Sequence, residues 1–455
     1  MECAFGIRVR YKAGTVIIPA LKRTRVVNSF NRPPLPRKIH RTMSTAQPRI
    51  AIIGCGPAGL TAGLLLHRHS VPFTIFELRQ KPTAEELARP SGSLDLHADS
   101  GLAAIAACGL TDEFRALAGE CLESQKVADR DGNILYEDED APGASDRPEI
   151  SRHALTALLA SYIPPAAIKW GHRLLAATAT ADGQVALDFG PRGTQTFDLV
   201  VGADGAWSRV RALLTDVAPR YAGRQCITLT IRQIADKHPE LAALVGRGSF
   251  MALGGGHGVL AQRGAQGSAR LYVMLSTADE GFAAMHGLVG RTAAKAKDTI
   301  LGDRALLGAW GAPMKELVAV ACEEETADNP GAELDIRPLY TLPVGHKWEH
   351  RAGATIVGDA AHLMGPWAGE GANLAMWDGL SLAQAIVKAY ETAGTDSDSF
   401  RGALDPLLKS FEVEIVERAR ERAEETHNNG KMMFGENGAR DLVAFFASFA
   451  PPPAE

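Results

Sequence analysis

A short β-branched run at Arg49 to Ile53 (RIAII) leaves no room for a helix before the glycines that follow, and predicts a buried parallel strand. From Pro57 to His69, Leu60, Leu64 and Leu65 recur at helical spacing until Pro72 stops the pattern. Phe73-Thr74-Ile75-Phe76 then reads as a second strand, which completes a βαβ unit. Strands alternating with helices imply a parallel sheet, and right-handed crossovers make the doubly wound arrangement the default. Two further apolar strands run into acidic turns: Asp198 to Gly202 into Ala203-Asp204-Gly205, and Ala354 to Val357 into Gly358-Asp359. Each places an aspartate at the carboxyl end of a strand.

Between Arg220 and Leu342 the pattern changes. Cys226 to Ile231, Gly258 to Ala261 and Arg270 to Leu275 read as strands of a meander, broken at Gly254-Gly255-Gly256. Beyond the second acidic turn, Asn373 to Tyr390 and Leu404 to Asn428 read as helices, the latter with alternating charges that suit a solvated face. The expected organisation is a basic extension over residues 1–47, a dinucleotide-binding domain in two parts (48–219 and 346–395), an inserted sheet domain (220–345) and a helical region (396–455). The fold class is therefore α/β: a doubly wound parallel sheet with a mainly antiparallel sheet inserted into it and helices at the C-terminus.

Composition narrows the class without choosing a function. The 455 residues are 46% hydrophobic and 22% charged, ordinary values for a globular chain. A net charge of -5 offers no concentrated basic surface for nucleic acid, and no run of 18 uncharged apolar residues suggests a membrane span. The six cysteines (Cys3, Cys55, Cys108, Cys121, Cys226, Cys322) are scattered, with no CxxC pair and no metal-ligand spacing. That usage suits a reducing compartment. Cys55, inside the glycine loop, reads as a small buried hydrophobe. Residues 1–47 carry ten Lys and Arg against the single acid Glu2. The segment reads as a disordered tail, as sequence ahead of a start at Met43, or, over residues 1–42, as a mitochondrial transit peptide. The expected location is cytoplasmic, with mitochondrial as the alternative.

Gly54-x-Gly56-x-x-Gly59 follows a strand and opens a helix, the context that makes this pattern informative. Gly54 permits the tight turn, Gly56 lets backbone approach a pyrophosphate, and Gly59 lets helix and strand pack closely. Glu77, eighteen residues beyond Gly59, ends the second strand and can accept from a ribose diol. This motif does not separate FAD from NAD. The discriminating element is Gly358-Asp359-Ala-Ala-His362 followed by Pro366-Trp367-Ala-Gly369-Glu370-Gly371-Ala372-Asn373. A carboxylate there can bind a polyol hydroxyl. The glycine loop then brings a helix N-terminus to a ring system that gains negative charge on reduction, as flavin does.

With Asp204-Gly205…Ser208…Arg211 between them, these motifs resemble those of the class A flavoprotein monooxygenases of the para-hydroxybenzoate hydroxylase type, from Pro48 to about Phe449. Gly92-Ser-Leu-Asp95-Leu-His97, Pro148-Glu-Ile-Ser-Arg152 and the Gly358–Gly369 stretch look closest to its tetracycline-inactivating branch. The resemblance implies a Rossmann-like FAD-binding domain. Glu77 would hold the adenosine ribose, Asp95 and Arg152 would contact FAD, Asp359 would bind its ribityl chain, and Gly369 to Ala372 would flank the flavin. Asp204 joins the cofactor set through its motif. Arg89 falls near an NADPH-associated arginine of that branch, with spacing to Asp95 one residue shorter. Read without the resemblance, Asp95 caps a turn, Arg152 partners Glu149, Asp204 pairs with Arg211, and His97 and His362 are packed, hydrogen-bonded residues.

Where that branch offers Gln, Arg and His, this chain carries Thr228, Ser249 and Tyr272, so tetracycline is not the expected substrate. Phe250, Met251, Met364 and Trp367 are further candidates to line a flat apolar cavity. The implied activity is oxygenation of a hydrophobic aromatic or polycyclic small molecule, such as a secondary metabolite. It would use O2 and NAD(P)H, with NADPH favoured, through a flavin C4a-hydroperoxide. The cofactor carries that chemistry, so no side chain is nominated as acid, base or metal ligand. A monomer is expected. An FAD-dependent reductase on the same fold, or a flavin-binding sensor, is the alternative.

Overall fold

The computed structural model describes residues 47–119, 124–138 and 147–449. The basic extension up to residue 46, the alternative start at Met43, Cys3 and Cys121 lie outside the described residues. The parallel sheet has the strand order Ala354–Ile356, Leu199–Gly202, Ile50–Ile53, Thr74–Phe76, Ile168–Lys169. Ile52 sits between Ile75 on one side and Val201 on the other, and all three are fully buried. Burial on both faces explains the unbroken apolar run that marked this strand in the sequence. Because chain order reverses about Ile50–Ile53, the carboxyl ends of these strands form a switch-point crevice, where open α/β sheets bind ligands.

The helix Pro57–Arg68 leaves that crevice and crosses Gly371–Ala393 at very close range. A Cβ on Gly379 would lie 2.6 Å from the carbonyl oxygen of Ala58. A small antiparallel sheet (Ala176–Ala179, Val185–Asp188, Thr194–Phe197) lies beside this core.

The second large sheet has seven strands, in the order Asp335–Thr341, Arg220–Ile231, Ser268–Ser276, His257–Gly264, Ser249–Gly254, Gln125–Asp129, Ile134–Glu137. Two of its strands precede the stretch 220–345 to which the sequence assigned it. Gln125–Asp129 pairs in parallel with Ser249–Gly254, setting Val127 opposite Met251. Its composition, QKVAD, hid it: the strand is polar outside Val127 and Ala128. The glycine break is a two-residue hairpin turn, in which Gly255 and Gly256 both take positive φ while Gly254 pairs with His257.

One face of this sheet (Ile227, Leu229, Phe250, Ala252, Val259, Leu271) packs beneath the helices Ala293–Gly302 and Ala312–Asp328. The other (Val127, Cys226, Met251, Leu260, Tyr272, Met274) meets Trp367, Phe434, Leu442 and Phe446. Phe250 is therefore not a lining residue. Adjacent strand residues point to opposite faces, and Met251 takes the inner one.

The last helices run longer than the periodicity predicts. Gly371–Ala393 spans 23 residues, and Ser397–Met433 spans 37, with Asp396 capping it by accepting from the Ser399 N–H. Gly438–Ala447 then lies across the inner face of the seven-stranded sheet. Among the described residues no helix is long and apolar enough to cross a membrane.

Candidate functional site

Four strand ends build the crevice. At the first, Gly54 has φ +108°, and a Cβ there would meet the Ala203 carbonyl oxygen at 2.2 Å. A Cβ on Gly59 would strike the Gly54 oxygen at the same distance. Both glycines are needed by packing alone. Gly56 differs: it caps the helix Pro57–Arg68 with no side-chain partner, and a Cβ added there meets nothing within 4 Å. The open space lies in front of a helix N-terminus, where free N–H groups favour phosphate. Glu77 accepts from the Cys55 N–H at 2.8 Å and the Arg79 N–H at 2.9 Å, which fixes its carboxylate beside this loop. Each oxygen keeps lone pairs for a ribose diol. Burial, and then Glu77, push the Cys55 thiol up to about 12, so it behaves as a hydrophobe.

At the third strand end Asp204 organises its own turn. Its carboxylate accepts from Ser208 Oγ at 2.5 Å and from the Arg209 N–H at 2.7 Å. Arg211 donates to the carbonyls of Ala206 and Ala360, joining this turn to the fourth strand end. Among the described residues Asp204 and Arg211 share no direct hydrogen bond; the Ser208 hydroxyl links them, donating to Asp204 and accepting from the Arg211 N–H.

The fourth strand end is the Gly358-Asp359 turn. Gly358 has φ +59°, and a Cβ there would lie 3.3 Å from Ala375 Cβ and 3.5 Å from Ala58 Cβ. The turn is thus wedged between the starts of two helices, with Asp359 half-buried at its edge. Behind it, Asp378 is wholly buried and accepts from the Gly358 N–H at 2.9 Å, His362 Nε2 at 2.6 Å and Arg418 Nη2 at 2.9 Å. Burial alone pushes the His362 imidazole down, but Asp378 outweighs it and the group ends above its ordinary value. His362 is a packed, hydrogen-bonded residue, as its sequence context suggested.

The glycine loop closes the arrangement. Gly369 has positive φ, Glu370 caps the helix Gly371–Ala393, and a Cβ on Gly371 meets nothing within 4 Å. Ala372 packs against the core. Asn373 ties the loop to the strand Ser93–Asp95. It donates to the carbonyls of Asp95 and Gly369, and accepts from the His97 N–H at 2.9 Å. Asp95 pairs across the strand with Glu149, which accepts from Gln262 of the large sheet. Arg152 follows on the next helix, with its Nε buried and without a hydrogen-bond partner among the described residues.

These residues fit FAD. Two open glycines stand at two helix N-termini, a carboxylate follows each of the strands Thr74–Phe76 and Ala354–Ile356, and Arg152 starts the helix after the strand that pairs with Ser93–Asp95.

Other expectations are placed differently. Arg89 forms an exposed pair with Glu85 at 3.1 Å, a contact of small energetic weight, rather than joining the buried cluster. Thr228, Ser249 and Tyr272 are buried on the sheet face shared with Met251 and Trp367. Trp367 packs edge-on to Phe434 at 4.6 Å. Sequence reasoning missed Asp378 and Arg418. The available signal was a carboxylate among Ala375, Met376, Gly379 and Leu380, on a helix otherwise apolar there. Among the described residues no three His, Cys, Asp or Glu side chains gather as a metal site.

The comparisons with known proteins agree with this geometry. The model of an FAD binding domain family matches residues 47–252 and 336–398. Monooxygenase penA of Penicillium thymicola is 36% identical, over 88% of this chain and 98% of its own. Among solved structures, HpxO of Klebsiella pneumoniae, complexed with FAD and uric acid, superposes with a TM-score of 0.66 at 17% identity, covering 88% of this chain and 92% of that one. Tetracycline destructase Tet(55) gives 0.57 at 19%, covering 86% and 97%. Those two likenesses speak for the fold. Together with the family match and the penA relationship, they show that this chain belongs to the FAD-dependent monooxygenases built on this FAD-binding domain.

Proposed function

We propose that this monooxygenase takes electrons from NAD(P)H, with NADPH preferred, and uses O2 to oxygenate a hydrophobic aromatic or polycyclic small molecule. The observation that carries the reading is that Trp367, in the loop between the Gly358–Asp359 turn and the Gly371 helix start, packs on the apolar inner face of the seven-stranded sheet. That face offers Met251, Tyr272, Met274 and Trp367, with Thr228 and Ser249 as sparse polar groups. Such lining suits a flat apolar ligand oriented by few hydrogen bonds. Bound FAD supplies the redox and oxygen chemistry.

The protein's part is binding and exclusion. The Gly56 and Gly371 helix starts would hold the phosphates and the ring, Glu77 the ribose and Asp359 the polyol, while Arg152 supplies a charge-assisted donor. The Gly438–Ala447 helix and Phe434 keep water from the sheet face. A reducing, cytoplasmic setting is supported by the cysteines Cys55, Cys108, Cys226 and Cys322, which are free thiols in the structure.

The test is substrate-stimulated NAD(P)H consumption over phenols, polyketides and terpenoids, with labelled O2. Product carrying one 18O atom is expected. Product formation without label would point to a reductase instead.

A further inference from the structure

His97 lies between two buried carboxylates. Its Nε2 is 3.2 Å from Asp95 Oδ2 and its Nδ1 is 3.5 Å from Glu370 Oε1. All three side chains are less than a tenth exposed. The Asp95 contact is a hydrogen bond and the Glu370 contact a longer ion pair, and an imidazole set between two carboxylates meets both best as the cationic ring, whose two nitrogens each carry a proton. The acids come from separate elements. Asp95 ends the strand Ser93–Asp95, whereas Glu370 immediately precedes the Gly371–Ala393 helix. Behind Glu370 stands Arg422 of the Ser397–Met433 helix, its Nε 3.4 Å away, itself faced by Glu425 and Asp99.

We propose that His97 is a positioning residue, an imidazolium that holds Asp95 by a hydrogen bond and Glu370 by an ion pair and so clamps the Ser93–Asp95 strand against the glycine loop in the geometry that retains FAD. The inference rests on the flavin reading of this site. The Asn373 bonds fix the backbones of the same two segments, but they carry no charge and do not reach the carboxylates; His97 is the cation that faces both acids, with Arg422 adding to it at Glu370. Burial pushes the His97 imidazole down, while Asp95 and then Glu370 outweigh it, leaving it at about 9. A group raised on folding contributes its full stabilisation below its unfolded value. That contribution is lost as pH rises through the folded value. Cofactor retention should therefore weaken around pH 9.

The experiment follows FAD release from purified holoenzyme, by the rise of flavin fluorescence after dilution, between pH 6 and 10. Wild type should release slowly at neutral pH and roughly tenfold faster above pH 9. His97→Gln should release at that faster rate at pH 7 already, with little further pH dependence. Adding Glu370→Gln to it should recover part of the loss, because the unbalanced charge is removed, whereas a merely structural role gives no such rescue. Should His97→Gln fail to fold, Glu370→Gln alone decides: the clamp requires its alkaline rise to move to lower pH. Wild-type release that is flat across the range, or a His97→Gln variant indistinguishable from wild type, overturns the clamp while leaving the flavin reading intact. Protein that holds no FAD at any pH overturns both.

Discussion

Gly358 donates its backbone N–H to the Asp378 carboxylate at 2.9 Å, linking the turn that presents Asp359 to the middle of the next long helix. The same carboxylate takes His362 and Arg418, so one buried acid sets the turn, the helix behind it and the Ser397–Met433 helix in register. Asp378→Ala leaves the Arg418 cation half-stranded and frees the turn. Breaking a buried pair from one side costs about 3–5 kcal/mol. Chemical denaturation should show that loss, together with reduced FAD content in the folded fraction. The pH dependence has two limbs. Asp378 is held below the ordinary carboxylate range: burial opposes this, but His362 and Arg418 outweigh it. Its contribution is present above the unfolded carboxylate value and lost as pH falls through the folded one. His362 is raised, so its contribution is full below its unfolded value and declines as pH rises through the folded one.

The three fingerprint glycines should separate by experiment. Gly54→Ala places a methyl group 2.2 Å from a carbonyl oxygen at positive φ, a strain of at least about 1–3 kcal/mol before the clash is counted. It should yield little folded protein. Gly56→Ala has open space around it, so the change costs about 1 kcal/mol or less as a helix cap. The folded variant should nonetheless bind FAD at least tenfold more weakly, because its methyl group stands where the phosphates approach. Equal FAD affinity in Gly56→Ala and wild type would contradict the phosphate assignment.

The division between what the sequence shows and what it hides follows from the range of the interactions. The Ile50–Ile53 strand, the glycine loop and Glu77 are local patterns, and each is found within a residue of its expected place. The Gly358–Asp359 turn was equally legible. Asp378 was not, because its partners come from Gly358, twenty residues earlier, and Arg418, forty residues later. Gln125–Asp129 was hidden for a related reason: its membership of the large sheet depends on a parallel pairing with a strand more than a hundred residues away. Face assignment on the Ser249–Gly254 strand needed the register as well, and that is why Phe250 was grouped with Met251.

Arg152 offers a cleaner view of cofactor binding. Its Nε is buried and has no hydrogen-bond partner among the described residues, so its cost is incurred in the cofactor-free fold. Arg152→Met keeps much of the volume and removes the unsatisfied donor. The variant should keep or slightly raise its melting temperature without FAD. Its affinity for FAD should fall by roughly 10- to 100-fold, the loss of about 1.5–3 kcal/mol expected for a hydrogen bond to a charged group. Titration of flavin fluorescence measures it. A variant that loses stability but keeps FAD affinity would make Arg152 a structural residue.

The two faces of the inserted sheet make the last prediction, which separates substrate recognition from folding. Phe250 and Met251 are neighbours in sequence, yet only Met251 lies on the face that meets Trp367. Phe250→Ala should cost about 3–5 kcal/mol of stability through the cavity it leaves, with substrate preference unchanged. Ser249→Leu and Thr228→Val act on the inner face, where they exchange the sparse polar groups for apolar ones. Both should leave FAD content intact while changing the order of compounds that stimulate NAD(P)H consumption, and should raise peroxide release from poorly oriented substrates. The discriminating measurement is that order across one aromatic panel. If Phe250→Ala reorders the panel and the inner-face variants do not, the substrate is recognised elsewhere than on this face.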